Sequence, residues 1–444
     1  MKFFCSILLW IPFYMAAMNA AEVPGRQLDQ VAEGYVRLAL EVGAYSPGYI
    51  DAYYGPKEWV VTHDDSVLRR GFPGAALRKK ADSLLAQLAA AGKSIVDSME
   101  RLRSEFLRKQ LVAVRAQIDV LAGKKYSFDE ESRLFYDAVE PVRPRAEFDK
   151  ALAELEALLP GDGGLSGRLA AFRKEFHVPD DKLAAVFDAA IAECRRRTLA
   201  RIALPAGESF KASYVKDKPW GAYNWYQGNA FSLIEVNTDL PMRVDQAVPR
   251  AAHEGYPGHH VYNALLEQKL AKGRGWVDFT VYPLFGPQSL IAEGTANYGI
   301  ELLFPGDERL EFEKKVLYPL SGLDPQKANR LARVEKLTHQ LVRAGNQAAR
   351  EHLDGRMSRG EARRWLERYG LETPEQAEKS LQFIAAYRSY IINYTLGEEM
   401  VRAYVEKVSG PGASQERKWQ VFEELLTTPR TPSGLAGLGG RITE

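Results

Sequence analysis

The chain has 444 residues, 46% of them hydrophobic, and its 59 basic and 58 acidic side chains leave a formal net charge of +1. This length and apolar content allow a large core and two or three lobes. The balanced charge excludes the basic excess typical of nucleic-acid binding, so we expect no nucleic-acid partner.

The first 21 residues are predicted to be a signal peptide. Lys2 is followed by an apolar run from Phe3 to Met18, and small residues near Ala20 suit signal-peptidase cleavage. The run is too short for a stable membrane span, and we expect none after cleavage. The sequence therefore predicts export, to the periplasm or out of the cell, with Cys194 as the remaining cysteine.

Residues 22–204 are predicted to form an N-terminal helical region. Leu77 to Leu121 has apolar residues at helical spacing and a break at Gly92, which predicts two or more amphipathic helices. Asp181 to Ile202 predicts another helix, and Pro160 begins a glycine-rich turn. Leu204 to Gly207 is the expected border with the following region.

Residues 205–427 are predicted to be a metal-binding catalytic region that ends in helices. Phe231 to Thr238 alternates apolar and polar residues, which predicts a short strand beside the site, with a plain core strand or a loop as the alternatives. Further helices are expected over Asp324 to Met357, Ser358 to Tyr369 and Pro374 to Val408. Residues 428–444, rich in Pro, Gly and Ser, are expected to be a loose tail.

Three of the seven histidines lie in the run His253-Glu254-Gly255-Tyr256-Pro257-Gly258-His259-His260. Imidazole and carboxylate groups are ligands of zinc, and a catalytic site keeps three protein ligands and one open position. We therefore expect one zinc ion per chain here. A structural cluster of histidines is the alternative.

The spacing differs from His-Glu-x-x-His, in which the two histidines share one helix face. On a regular helix His259 lies about 120° around the axis from His253, and His260 lies about 10 Å along it, so neither shares an ion with His253. Pro257 and Gly258 must therefore break the helix. A two-residue loop brings in His259 and a three-residue loop brings in His260. We favour His259, because a Gly-His pair closes the motif in several zinc peptidases. His260 is then expected to support a ligand or to contact the substrate.

Glu254 follows the first expected ligand, where a general base can take a proton from metal-bound water as it attacks a carbonyl carbon. A surface carboxylate is the alternative. Downstream, Ile291 to Phe304 predicts a helix with Glu293 near its beginning, and Glu293 also fits an ordinary first-turn glutamate.

A late helical segment carries candidates for substrate contact. Tyr394 or Tyr390 can stabilise the oxyanion of a tetrahedral intermediate, and Arg388 can bind a substrate carboxylate. Tyrosines at helical spacing also suit a core.

These segments together resemble the domain of unknown function 885 family, whose bacterial members are regarded as zinc metallopeptidases. The resemblance covers about residues 30–408. It rests on the His-Glu and Pro-Gly-His-His run, the following Glu-Gly-x-x-x-Tyr, Asp51-Ala52-Tyr53-Tyr54-Gly55-Pro56 and Tyr394-Thr395-Leu396-Gly397.

The resemblance implies a mainly α, multi-helical gluzincin-like metallopeptidase fold with a cleft and a small β element beside the active-site helix. It implies that Glu293 is the third zinc ligand and that Tyr298 supports the site. Zinc peptidases of this design place an edge strand beside the helix, so the strand near Asn237 is expected to align the substrate.

The leading expectation is a zinc-dependent hydrolase, a metallopeptidase that cleaves short peptides with Glu254 as general base. A zinc amidase or esterase acting on another small substrate needs the same activated water. A noncatalytic helical envelope protein with a structural metal site is the remaining alternative.

Overall fold

The computed structural model describes residues 24–62, 71–218, 220–239 and 241–437, so the predicted signal peptide lies outside it. The protein is mainly helical, as expected. No helix in the described ranges has the length and apolar character needed to cross a membrane. The α-helices of these ranges are α1 (Pro24–Gly43), α2 (Gly74–Ala91), α3 (Ser98–Leu121), α4 (Phe128–Tyr136), α5 (Arg145–Leu158), α6 (Leu165–Lys174), α7 (Asp180–Leu199), α8 (Ala247–Glu254), α9 (His259–Leu266), α10 (Pro287–Leu303), α11 (Glu308–Phe312), α12 (Tyr318–Ser321), α13 (Ala328–Leu341), α14 (Arg343–Leu353), α15 (Arg359–Tyr369), α16 (Pro374–Tyr387), α17 (Ile392–Ser409), α18 (Gln415–Thr427) and α19 (Pro432–Gly437).

Two small sheets accompany these helices. The strands are β1 (Ile50–Tyr53), β2 (Ser209–Val215), β3 (Ala222–Tyr226), β4 (Phe231–Asn237) and β5 (Val281–Pro283). β1 pairs with β5 in antiparallel fashion. In the other sheet β4 is central, parallel to β2 and antiparallel to β3. The predicted strand is therefore confirmed as β4, whereas its expected edge position is wrong.

The predicted helices are confirmed, but two of them are divided. The segment from Asp324 to Met357 forms α13 and α14 on either side of Val342. The long N-terminal segment forms α2 and α3 around the expected break at Gly92, and α3 begins where the Asp97 side chain accepts from Glu100 N. The last predicted helix is divided into α16 and α17, because Arg388 has φ 51°. Its Nε donates to Glu131 Oε2 at 2.5 Å, and this contact helps to hold an unfavourable backbone conformation.

One hydrophobic core crosses the predicted border at residues 204–205. Phe176 and Cys194 from the N-terminal region belong to the same buried cluster as Tyr262. In addition, Arg103 on α3 forms a fully buried ion pair with Asp278 at 2.7 Å. The regions on either side of the predicted border are therefore packed together.

The C-terminal segment is packed against the protein as far as Gly437. The exposed fractions of Thr428, Arg430 and Thr431 are 7%, 5% and 4%. Ser433 N donates to a carboxylate oxygen of Asp137 at 2.9 Å. The prediction of a loose tail is therefore wrong for residues 428–437, and residues 438–444 lie outside the described part of the chain.

Candidate metal centre

The His-Glu run is folded by a helix break between α8 and α9. Gly258 N donates to Ala252 O at 2.9 Å, a bond across six residues in place of the usual four, so two residues are looped out. A Cβ on Gly258 would lie 1.9 Å from His253 O, and only glycine permits this approach. The loop has the predicted length and brings His259 beside His253.

Three side chains converge at this break and are called the metal trio below: His253, His259 and Glu293. Glu293 Oε2 lies 3.2 Å from His253 Nε2 and 3.8 Å from His259 Nε2. Ligand atoms of all three lie within 4.8 Å of one another. Two atoms bound about 2.1 Å from one ion at the tetrahedral angle are about 3.4 Å apart. The spacing therefore fits one zinc-sized ion.

The hydrogen bonds around His253 leave a gap suited to a cation. Asn297 Nδ2 donates to Tyr394 O at 3.0 Å, which orients the amide so that Asn297 Oδ1 faces His253 Nδ1 at 2.9 Å. Because this oxygen only accepts, Nδ1 carries a proton and Nε2 of the neutral ring presents a lone pair. That lone pair faces Glu293 Oε2, which is buried without a hydrogen-bond partner. The residues therefore fit a bound cation.

The pKa values of the three side chains also indicate that a positive charge is missing between them. Burial favours neutral His253, but the contact with Glu293 and the charges of Glu254 and Glu293 raise its pKa to about 9. Burial and the charge of His253 lower the pKa of His259 to about 4. Burial disfavours charged Glu293, yet its contacts with both histidines hold its pKa below the ordinary value. In the metal-free protein a proton on His253 thus takes the place that a divalent ion would occupy.

Close packing of two helices positions Glu293. A Cβ on Gly294 would lie 2.4 Å from Gly397 O, so these glycines allow α10 and α17 to touch. Tyr390, just before α17, donates its hydroxyl to Glu293 Oε1 at 2.8 Å. The Glu-Gly and Tyr-Thr-Leu-Gly segments of the sequence therefore meet in one contact, which fixes the carboxylate.

A cavity of about 620 Å³ opens beside the metal trio. This volume falls within the usual range of small-molecule sites, about 300–1,000 Å³. Its walls come from β1 and the segment before it, from β3, from the metal trio and Glu254, from the segment around β5, and from α16 to α17. The lining residues used below are Asp51, Trp220, Tyr223, Asn224, Trp225, Glu254, Phe383, Tyr387, Tyr390 and Tyr394.

Glu254 is open to this cavity. Its exposed fraction is 8%, and its carboxylate has no hydrogen-bond or ion-pair partner among the residues described. Burial raises the pKa of Glu254 to about 7, and the charges of Glu293 and Asp51 act in the same direction. A carboxylate of this pKa beside a cation site has the properties of a general base.

Tyr390 and Tyr394 both line the cavity, as expected for candidates near the metal. The Tyr390 hydroxyl is already bonded to Glu293. Tyr394 is half-buried, and its pKa is raised by its enclosed position and by the charges of Glu293 and Glu254, while its hydroxyl makes no hydrogen bond to the described residues. Of the two phenols, Tyr394 is the one available to a bound substrate.

His260 lies outside the metal trio and is fully buried. Its Nδ1 is 2.9 Å from Ser232 Oγ and its Nε2 is 3.0 Å from Glu208 Oε2. Glu208 also accepts from Tyr256 Oη at 2.7 Å and pairs with Arg195. These five residues are called the buried network below. The expected substrate contact of His260 is wrong, because the network encloses it and ties α9 to β4.

Two other expected substrate contacts are also wrong. The Asn237 side chain donates to the backbone oxygens of Lys218 and Trp220, each at 2.9 Å, and so holds the loop before β3. Arg388 is paired with Glu131. Neither residue lines the cavity. In both cases a closer protein partner takes the polar group that was expected to bind substrate.

Tyr298, expected to support the site, lies on another face of α10. Its ring packs on Phe422, with ring centroids 6.1 Å apart. Five residues after Glu293, it is about 140° around the helix from that ligand, whereas Asn297 is only about 40° away. The supporting residue is therefore Asn297, which helical spacing alone could have indicated.

The strand beside the active-site helix is β3. Asn224 Nδ2 donates to Glu254 O at 2.7 Å, and β3 residues line the cavity. β3 pairs with β4 on one side only in the described sheet, so it is, like β2, an edge strand, and it is the edge strand whose residues line the cavity. Central β4 has both edges occupied and cannot align a substrate backbone as expected.

Asp51 is a cavity residue to which the sequence assigned no role. The register of β1 with β5 shifts between Ile50 and Ala52, which leaves Asp51 unpaired in the ladder. Its Oδ1 accepts from the Tyr223 hydroxyl. Burial raises the pKa of Asp51 to about 6, although the bond from Tyr223 opposes this shift. No local signal could have placed Asp51 beside residues some 200 positions later.

No family model and no curated protein matches the chain. A solved structure described as a "putative lipoprotein" from Colwellia psychrerythraea is similar in fold. It has a TM-score of 0.51 and 12% identity, over 82% of this chain and 69% of that one. A second solved structure, described as a "putative lipoprotein of unknown function" from Shewanella oneidensis, has a TM-score of 0.43 and 12% identity, over 81% and 72% of the two chains. Membership of the domain of unknown function 885 family stays a prediction.

Proposed function

We propose that this protein is a zinc-dependent hydrolase that cleaves short peptides. The observation that carries the proposal is the metal trio, in which a buried carboxylate oxygen without a partner faces two imidazole nitrogens at the wall of a cavity. A closed structural site would have four protein ligands. Among the described residues the cluster has three, and Glu254 is open beside it.

His253, His259 and Glu293 would hold the ion. Bound zinc would polarise a carbonyl group and lower the pKa of a water molecule to about 7. Glu254 takes the proton from the attacking water and delivers it to the leaving nitrogen. Tyr394 donates a hydrogen bond to the carbonyl oxygen as negative charge develops there. Tyr390 keeps Glu293 in place.

The free edge of β3 supports a peptide as the substrate. An extended peptide can add to an exposed strand edge through main-chain hydrogen bonds, and β3 lies along the cavity that contains Glu254. An amidase or esterase for other substrates would use the same water, but it would not need this edge.

Export from the cytoplasm belongs to the proposal. It is supported by the apolar run from Phe3 to Met18 and the small residues after it. The Colwellia protein with a similar fold, described as a lipoprotein, is compatible with an envelope location.

Metal analysis combined with hydrolysis of a mixed peptide library tests this function. We expect about one zinc per chain in the wild type and in Glu254→Gln, with kcat/KM lower by about 10²- to 10⁴-fold in the variant. Glu58→Gln, the same change at an exposed glutamate, should keep full activity. Wild-type protein without divalent metal, or a His253→Ala variant as active as wild type, would overturn the proposal.

A further inference from the structure

Outside the metal trio, the acidic side chains that line the cavity are Asp51 and Glu254, and no lysine or arginine is among the described lining residues. A site that recognises the C-terminal carboxylate of a peptide needs a cationic side chain. The cavity wall instead suits a substrate that brings positive charge.

Asp51 differs from other enclosed carboxylates of this protein. Asp278 pairs with Arg103, Glu208 with Arg195 and Glu267 with Lys272. Asp51 has the Tyr223 hydroxyl as its partner and pairs with no basic group in the described ranges. Carboxylates that are largely removed from water are normally paired with a cation, whereas Asp51 is half-buried and open to the cavity. Asp51 is thus an anionic group that lacks its counterion and faces the cavity.

Aromatic rings line the same cavity as this carboxylate. Trp220, Tyr223 and Trp225 pack together on the β3 side, with the Tyr223 ring centroid 5.1 Å from that of Trp220 and 4.6 Å from that of Trp225. Phe383 and Tyr387, whose centroids are 4.6 Å apart, contribute from α16. Aromatic faces attract cations, and most strongly in enclosed sites. The rings and Asp51 favour the same kind of ligand.

Asp51 also shares its cavity with the metal trio. Asp51, Glu254, His253, His259 and Glu293 all line the same space of about 620 Å³. A substrate that places its carbonyl group beside Glu254 can therefore place a second group at Asp51.

We propose that Asp51 binds a protonated nitrogen of the substrate, so that the cavity selects peptides with a free α-amine or a basic side chain near the bond that is cleaved. This inference rests on the proposed hydrolase function and names its substrate class. Tyr223 orients the carboxylate, and the aromatic rings cover the bound cation.

Paired peptides test this selection on the zinc-loaded full chain. One pair is Phe-Ala-Ala-Phe with a free or an acetylated N-terminus. The other is an acetylated peptide with either arginine or norleucine beside the scissile bond. We expect kcat/KM to be about 10- to 100-fold higher for the charged member of at least one pair. A preference within the first pair shows that the α-amine is bound, and a preference within the second pair shows that a basic side chain is bound.

Asp51→Asn should reduce this preference, the ratio of kcat/KM for the charged and the neutral member of a pair, to less than about threefold, because the amide can keep a hydrogen bond with Tyr223 but carries no charge. Asp162→Asn, the same change in an exposed turn, should retain the preference. Near-ultraviolet circular dichroism checks that each variant is folded. Equal wild-type rates for charged and neutral members, or an unchanged preference in folded Asp51→Asn, would overturn the inference and leave the hydrolase proposal standing.

If the wild type cleaves no peptide, the proposed hydrolase function is contradicted. A second measurement then tests the role of Asp51 separately. Calorimetry then compares phenylalaninamide, acetylphenylalaninamide and acetylargininamide as ligands of the wild type. Tighter binding of a charged amide, lost in Asp51→Asn, supports the role of Asp51. Equal binding of the charged and neutral amides by the wild type contradicts it.

Discussion

The metal trio and the buried network use the same residue types, and neighbouring histidines of one run enter each. In the buried network, both ring nitrogens of His260 have partners, as do both carboxylate oxygens of Glu208. In the trio, Glu293 Oε2 has no hydrogen-bond partner, and Glu254 beside it is unpaired in the described structure. The difference teaches that hydrogen-bond saturation, rather than residue type, distinguishes a structural cluster from a candidate site.

The largest expected effect comes from removing a member of the trio. His259→Ala should weaken zinc binding by on the order of 1,000-fold, because one of three ligands is lost. The melting temperature of the metal-free variant should stay within about 3 °C of wild type. Competition with a chelator and a thermal scan measure both quantities. Wild-type zinc affinity in this variant would place the ion elsewhere.

The buried network should respond in the opposite way. His260→Ala leaves Ser232 and Glu208 short of a partner and creates a void, so the free energy of unfolding should fall by about 2–4 kcal/mol. Zinc binding should weaken by no more than about 100-fold, since His260 only supports α9. Urea unfolding with zinc titration checks this. A variant with full stability and no zinc binding would exchange the two histidines' roles.

The pH dependence of stability sharpens the contrast further. The raised pKa of His253 stabilises the metal-free fold fully below about pH 6.5, and this contribution is lost as pH rises through about 9. We expect the metal-free protein to lose roughly 2 kcal/mol of unfolding free energy over that window. Zinc replaces the proton, so the zinc-loaded protein should not show the loss. Metal-free His253→Gln should also lack it, and a loss of the same size in that variant would contradict the assignment.

The smallest effect concerns support of Glu293. Tyr390→Phe removes the hydroxyl bonded to Glu293 Oε1 and should weaken zinc binding by about tenfold. Tyr387→Phe changes a neighbouring phenol of the cavity wall that makes no bond to Glu293, and it should leave zinc affinity unchanged. Chelator competition compares the two. Equal affinities in both variants would show that the Tyr390 bond does not position the ligand.

Local spacing was sufficient to predict the helices and the loop of the His-Glu run. The positions of the histidines and the proline and glycine between them limited the loop to two or three residues, and the structure has the two-residue loop that brings in His259. The contact of Asn297 with the site could also have been predicted from the sequence, because Asn297 lies about one helical turn after Glu293. These features depend on neighbours within a few residues of one another.

Features set by tertiary packing could not be predicted in this way. Asp51 reaches the cavity because β1 pairs with β5, and His260 is buried because Glu208 and Ser232 approach it from other elements. The strand order β2-β4-β3 could not be predicted either. An alternating pattern predicts a strand, but all three strands of the sheet can share it, so it does not give a strand's place in the sheet. Each of these depends on contacts between distant parts of the chain.

Anomalous diffraction at the zinc edge, from crystals of the zinc-loaded protein, tests the central claim most directly. We predict one strong peak about 2.1 Å from His253 Nε2, His259 Nε2 and a carboxylate oxygen of Glu293, with His260 still bonded to Ser232 and Glu208. A peak bound by His260, or no peak at the metal trio, would contradict the account.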